Sequence, residues 1–381
     1  MNLRASLRAA AMLLGCGLGI ATSAMAATGC IPLAPAADFS RYLTDMGNGL
    51  VQAQDICYAD GTHWREDNTH GTGNVTLYQR FDYYRPAQVP LTQPVPLVIW
   101  AHPSGQTEKL NSTRMSSLVA PAARAGFAFM SIEFRHPVGS QLAPTNPPTP
   151  PNYDIPNTDV ARAVQWARSR AQQLGLDASN VFLIGQSRGT LGILTALMPD
   201  QADIGSGTDY LRYSSRVNAA VGVQAQSSYN HDEVRNTFIV SSDWPRFDDP
   251  LAGYPMYTHA GSALSQVSDD DPPIQLRYDR VPTDPHRVVP LHMANADGSC
   301  PDDPKVPGGC FDEHHPNFGL ALGLAYAAHP ALAGKFSVQY ALDPLHYFDN
   351  YICFFIGHLT AGGRVETQQA GGQVPAACGL R

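Results

Sequence analysis

The sequence predicts an α/β fold, a mainly parallel sheet with helices on both faces and elaborated loops. Three observations predict it. Short apolar strands alternate with helical segments from about residue 75 to residue 360, the order that builds a parallel sheet covered on both sides. Several of those strands, such as Val181-Phe182-Leu183-Ile184, are unbroken apolar runs, as strands buried on both faces are. The 381 residues are 44% hydrophobic and 15% charged, which excludes disorder for the bulk of the chain, while the length allows one large domain or two ordinary ones.

In chain order, Val75 to Tyr84 alternates like a strand, and Pro96 to Trp100 is a short buried one. Ser117 to Ala125 reads as a helix ended by Gly126, and Phe127 to Ile132 as the next strand. The proline-rich stretch from Pro144 to Pro156 is an extended loop. A helix is expected from about Asn157 to Leu174, where Val160, Val164, Ala167, Ala171 and Leu174 recur at helical spacing before Gly175. The strand Val181–Ile184, a helix from Leu191 to Met198 and strands at Val217–Val223, Ile274–Tyr278 and Phe336–Leu342 follow. A helix from Tyr347 to about Leu359 closes the core. Insertions at about 229–267 and 294–316 interrupt the alternation.

The N-terminus has the marks of an export signal. Arg4 and Arg8 precede an apolar run from Ala9 to Ile20, and Ala24-Met25-Ala26 offers the small residues of a cleavage site. The expectation is a signal peptide over 1–26, a single domain over 27–381, and a secreted or periplasmic product. A lipoprotein signal at Leu13-Leu14-Gly15-Cys16 is the competing reading, disfavoured because the apolar run continues past Cys16. No later stretch approaches the roughly 20 apolar residues of a membrane span. The formal charge of −8 is the opposite of a nucleic-acid-binding footprint. Six cysteines remain beyond the signal, Cys30, Cys57, Cys300, Cys310, Cys353 and Cys378. In an oxidising compartment they suggest the local pairs Cys30–Cys57, Cys300–Cys310 and Cys353–Cys378, each worth on the order of 3 kcal/mol. Zinc is disfavoured because no Cys-x-x-Cys spacing occurs, and no metal is expected.

Gly185-Gln186-Ser187-Arg188-Gly189 directly follows one strand and directly precedes a helix. That context makes it a nucleophile elbow, with Ser187 exposed at the sheet edge. A serine needs a base. Among His314, His315, His329, His346 and His358, His346 is preferred because it alone sits just beyond the last strand; His314 and His315 fall in an insertion. The acid that orients the base should follow the strand Ile274–Tyr278, and Asp284 is preferred to Asp279 because the chain after Val281-Pro282-Thr283 can fold back across the sheet edge. Oxyanion donors are the backbone N–H of Arg188 and one from His102-Pro103-Ser104-Gly105. Pro103 has none, so Ser104 or Gly105 must supply it. Tyr229 and Trp244, with Phe247, Tyr254 and Tyr257, are candidates for an aromatic substrate wall.

From about Pro96 to Leu359 the chain resembles a serine esterase of the α/β-hydrolase superfamily, near the carboxylesterase and acetyl- or feruloyl-esterase branch. The residues that carry this are His102-Pro-Ser-Gly, Glu133-Phe-Arg135-His-Pro, the Gly-Gln-Ser-Arg-Gly elbow, Asp271-Pro-Pro before a strand, Asp284 with Val289-Pro290, and His346. His-Pro-Ser-Gly stands in place of the family's glycine-rich oxyanion loop, and Arg188 in place of its usual small residue. The resemblance implies an α/β-hydrolase fold, a small-molecule or polymeric ester as substrate, an acyl-enzyme route through Ser187, His346 and Asp284, and no cofactor. A related peptidase and a catalytically dead binding fold are the alternatives.

Overall fold

The computed structural model describes residues 30–59, 79–103, 114–134, 154–228, 230–238, 241, 244–248, 262–282, 314–363, 372–373 and 378. Among them a nine-stranded sheet has the order β1-β2-β3-β5-β4-β6-β7-β8-β9. The strands are β1 (Thr44–Asp45), β2 (Leu50–Cys57), β3 (Arg80–Pro86), β4 (Val95–Ala101), β5 (Ala128–Glu133), β6 (Leu176–Gln186), β7 (Ala219–Val223), β8 (Ile274–Arg277) and β9 (Phe336–Gln339). Pairing is antiparallel from β1 through β3 to β5 and parallel from β5 through β4 to β9. The expected mainly parallel sheet is therefore present, with an antiparallel N-terminal edge.

Strand alternation builds the two cores. Leu97, Ile99 and Ala101 of β4 face one side, against Val160, Val164 and Ala167 of the helix Asp154–Ser169 and Leu191 and Leu194 of the helix Leu191–Leu197. Val98 and Trp100 face the other, with Leu118 and Val119 beside the helix Ala120–Arg124 and Tyr351, Ile352 and Phe355 of the helix Tyr351–Gly357. Every residue of β4, β5 and β7 is buried, which is why these strands read as continuous apolar runs.

Some boundaries differ from expectation. The helix expected from Asn157 starts at Asp154, since Pro156 in a first turn removes only an N–H that would lack a partner there anyway. It also breaks at Arg170 (φ −109°, ψ 12°) before a short turn, Ala171–Leu174. The insertion after β7 contains the helix His231–Phe238, whose entry is held by Asn230 accepting from the backbone N–H groups of Asp232 and Glu233. Glu233 accepts from both Ser228 and Ser262, which form an isolated bridge and tie the two ends of the insertion together.

Two of the expected disulfides are formed, Cys30–Cys57 and Cys353–Cys378. Cys300 and Cys310 lie outside the described residues. Among the described residues, no helix is long and apolar enough to cross a membrane, and no group of three or more His, Cys, Asp or Glu side chains could hold a metal ion.

Candidate active site

The parallel strands end along one edge, and β6 delivers Ser187 there directly after Gln186. Ser187 has φ +50°, a left-handed conformation that costs a non-glycine residue about 1–2 kcal/mol. The flanking glycines make that turn possible. A Cβ on Gly185 would collide with the Gly189 carbonyl, and one on Gly189 with the Ala101 carbonyl, so the turn closes on itself and against the end of β4. Thr190 Oγ1 donates to the Ser187 carbonyl at 2.5 Å and accepts from Gln226 N–H at 3.4 Å, which ties the turn to the chain after β7. Beside it, Gln186 donates to Gln224 at 3.1 Å and accepts from Arg114 at 2.5 Å. Arg114 lies 4.6 Å over the Phe348 ring, and its burial lowers its pKa from the ordinary guanidinium value.

The histidine at Ser187 is His314, whose Nε2 is 2.7 Å from Ser187 Oγ. For the hydroxyl to donate, Nε2 must be the bare nitrogen and Nδ1 must carry the hydrogen. His346 is not brought to Ser187 by this arrangement. It lies in a short turn, Pro344–His346, with its side chain 61% exposed and its Nδ1 2.7 Å from Asp349 Oδ2. It lines a cleft of about 430 Å³ with Gln275, Arg277, Gln339, Phe354 and the Cys353–Cys378 bridge. His346, preferred from its position after the last strand, is held here by Asp349, and His314 is the histidine placed at Ser187.

His314 is held by the helix that follows it, Asn317–Ala327. His315 Nδ1 accepts from Asn317 N–H, and the His315 carbonyl accepts from Phe318 N–H. The helix then seats Gly319 on Tyr278, where an added Cβ would lie 2.6 Å from the ring. Tyr278 cannot yield easily, because its hydroxyl donates to the Ala225 carbonyl at 2.8 Å and the ring is fully buried. Gly319→Ala is therefore expected to cost roughly 1–3 kcal/mol by overpacking and to shift His314. Thermal denaturation and kcat on one preparation check this: kcat should fall while the protein is still folded.

The other expected site residues separate into those described and those not. Arg188 follows Ser187 in the first turn of the helical segment, where backbone N–H groups lack intrahelical partners. Asp284, Ser104 and Tyr229 lie outside the described residues. Asp279 is 3.4 Å from Arg280 Nε; burial first, and then the Asp279 charge, raise the pKa of the Tyr347 hydroxyl. Trp244 is half-buried under the Arg235 guanidinium, 4.8 Å away.

Comparison with known proteins gives a family. The BD-FAE family model matches residues 81–279, just over half of the chain, from β3 to the end of β8. No curated protein matches. Among solved structures, a truncated carbohydrate esterase from gut microbiota is similar at 19% identity over 79% of this chain and 99% of that one, with a TM-score of 0.46. An acetyl ester-xyloside bifunctional hydrolase from Caldicellulosiruptor lactoaceticus is similar at 15% identity over 82% and 98%, with a TM-score of 0.45. An esterase of the planctomycete Thermogutta terrifontis, in a butyrate-bound form, is similar at 16% identity over 68% and 77%, with a TM-score of 0.42. The extent of the family match decides the assignment: the chain belongs to BD-FAE, an esterase family of the α/β-hydrolase type, and is a carboxylic ester hydrolase.

Proposed function

We propose that the protein is an exported serine esterase working through an acyl-enzyme, with Ser187 as nucleophile and His314 as base. The contact of 2.7 Å between Ser187 Oγ and His314 Nε2 carries this reading. His314 takes the hydroxyl proton as Oγ bonds to the ester carbonyl carbon, and gives it to the alcohol oxygen as the C–O bond breaks. Water then attacks the acyl-enzyme, His314 takes its proton, and Ser187 leaves protonated as the acid is released. The backbone N–H groups of Arg188 and Ser104 are assigned to the developing oxyanion.

Asp284 is assigned to hold Nδ1–H of His314 and to stabilise the imidazolium. Asp279 already has Arg280 beside it, which supports the choice of Asp284. Asp284→Asn is expected to cut kcat by about 10⁴-fold, the scale of the same change in the serine-protease triad, whereas Asp279→Asn keeps most activity. Steady-state kinetics on the two folded variants decide the assignment, and the reverse pattern moves the acid to Asp279.

Export from a signal peptide over 1–26, leaving one domain over 27–381, is supported by the two disulfides, which persist in oxidising compartments. A panel of p-nitrophenyl esters of rising chain length, with feruloyl esters, acetylated sugars and a peptide amide beside it, tests the reaction class. Turnover of the esters with none of the amide is the expected result. Amide turnover at comparable kcat/KM would favour the peptidase reading.

A further inference from the structure

The residue before the nucleophile is held by its side chain at both ends. Gln186 pairs with Val223 in the register of β6 and β7, and strand alternation puts its side chain on the same face as Ile184. A guanidinium can only donate. The contact of Arg114 Nη2 with Gln186 Oε1 therefore turns the amide oxygen toward Arg114. The –NH2 then points the other way, onto Gln224 Oε1 at 3.1 Å. Held with opposite polarity at its two ends, the amide has a single orientation.

Both anchors are themselves fixed. The Arg114 guanidinium lies 5.7 Å from the Trp100 ring centroid and 4.6 Å from that of Phe348, and those two rings meet edge to face. Gln224 follows β7 at φ +51°, with its N–H donating to the Arg277 carbonyl of β8 at 2.8 Å. The ladder Arg114–Gln186–Gln224 thus runs from the aromatic ring of a β4 residue to the backbone of β8, with the nucleophile's neighbour as its middle rung. All three side chains are half-buried, where water replaces a lost hydrogen bond at small net cost. Its contribution to stability is therefore small.

The ladder matters at the next residue. Ser187 sits at φ +50°, and such a conformation persists only where its surroundings over-determine it. On the C-terminal side, Thr190 Oγ1 holds the Ser187 carbonyl. On the other side the ladder holds Gln186, whose carbonyl carbon is bonded to the Ser187 nitrogen. We propose that Arg114 and Gln224, acting through Gln186, are positioning residues that keep Ser187 Oγ in line with His314 Nε2. The proposal rests on the acyl-transfer reading above.

Gln186→Met keeps the length of the side chain and removes both hydrogen bonds. It is expected to keep Tm and lose roughly 10–100-fold in kcat, the scale of a displacement of about 1 Å at a reacting group. KM should stay within about twofold, since substrate binding is not what the ladder serves. Titration with a fluorophosphonate probe should still label every molecule, but more slowly, in parallel with kcat/KM; misfolding would instead lower the labelled fraction. Gln224→Glu, which keeps the accepting oxygen, should recover most of what Gln224→Met loses. Because both anchors act through one residue, Arg114→Met should slow kcat by about tenfold in the wild-type background and not at all in Gln186→Met. Should Gln186→Met fail to fold, the Gln224→Glu and Gln224→Met pair carries the test alone. Wild-type kcat in Gln186→Met, equal loss in the two Gln224 variants, or a full effect of Arg114→Met on top of Gln186→Met overturns the proposal. Ser187→Ala on the same substrates separates the two levels. If it stays active, the acyl-transfer reading fails; if it is dead while Gln186→Met is wild type, only this inference fails.

Discussion

Ser187→Ala is expected to lower ester turnover by about 10⁴-fold or more, leaving only what substrate binding and the oxyanion donors provide. The size follows from chemistry rather than packing. The substitution removes one oxygen from a residue that is 8% exposed, and alanine adopts the left-handed φ of +50° no less readily than serine, so the fold should survive. Tm should change by little while kcat collapses. In the proposed acyl-enzyme route that oxygen is the atom that bonds to the acyl carbon, and nothing in the remaining site replaces it. A fluorophosphonate probe followed by peptide mapping gives an independent check. The wild-type adduct should map to the peptide holding Ser187, and the alanine variant should remain unlabelled. Wild-type turnover in the alanine variant would remove Ser187 from the chemistry.

The elbow was legible because its requirements are local. A strand buried on both faces, a turn too tight for a Cβ at Gly185 and Gly189, and a following helix all leave marks within fifteen residues. The strands β4, β5 and β7, and the Asn180–Gly185 stretch of β6, were legible for the same reason, since complete burial writes an apolar run into the chain. Of the antiparallel edge only β3 was, overlapping the strand expected from Val75 to Tyr84; β1 and β2 were not. β2 carries a bulge between Ala53 and Ile56, with Asp55 at φ +54°, so its buried positions do not alternate. The helix Asn317–Ala327 was missed because Phe318 to Ala327 is apolar apart from one tyrosine hydroxyl and carries two glycines, leaving no helical period to read. That omission hid the place of His314 beside Ser187 as well. With the helix unrecognised, His314 stood in an irregular insertion. Once Gly319 is seated on Tyr278 at the end of β8, a helix start delivers His314 to the sheet edge. A His-His-Pro sequence immediately before an apolar segment was the available signal.

His314→Ala and His346→Ala are expected to diverge by about four orders of magnitude in kcat. Removing His314 takes away the nitrogen 2.7 Å from Ser187 Oγ, and an unassisted serine hydroxyl is a weak nucleophile at neutral pH. Because nucleophile and base act as a unit, the double variant Ser187→Ala with His314→Ala should be no slower than the worse single variant. Added imidazole should recover part of the activity of His314→Ala, since the lost group leaves space at the serine, and should do nothing for Ser187→Ala. His346→Ala loses a surface contact with Asp349 in which both side chains are more than half exposed, the kind of pair that contributes little to stability. Its kcat should stay within a few-fold of wild type. The experiment is decisive in both directions, because the two histidines are the products of two different arguments. Position after the last strand selects His346, and contact with the nucleophile selects His314. An inactive His346→Ala beside an active His314→Ala would mean that the loop ending in His346 reaches Ser187 during turnover, and that the contact of His314 is not the catalytic one.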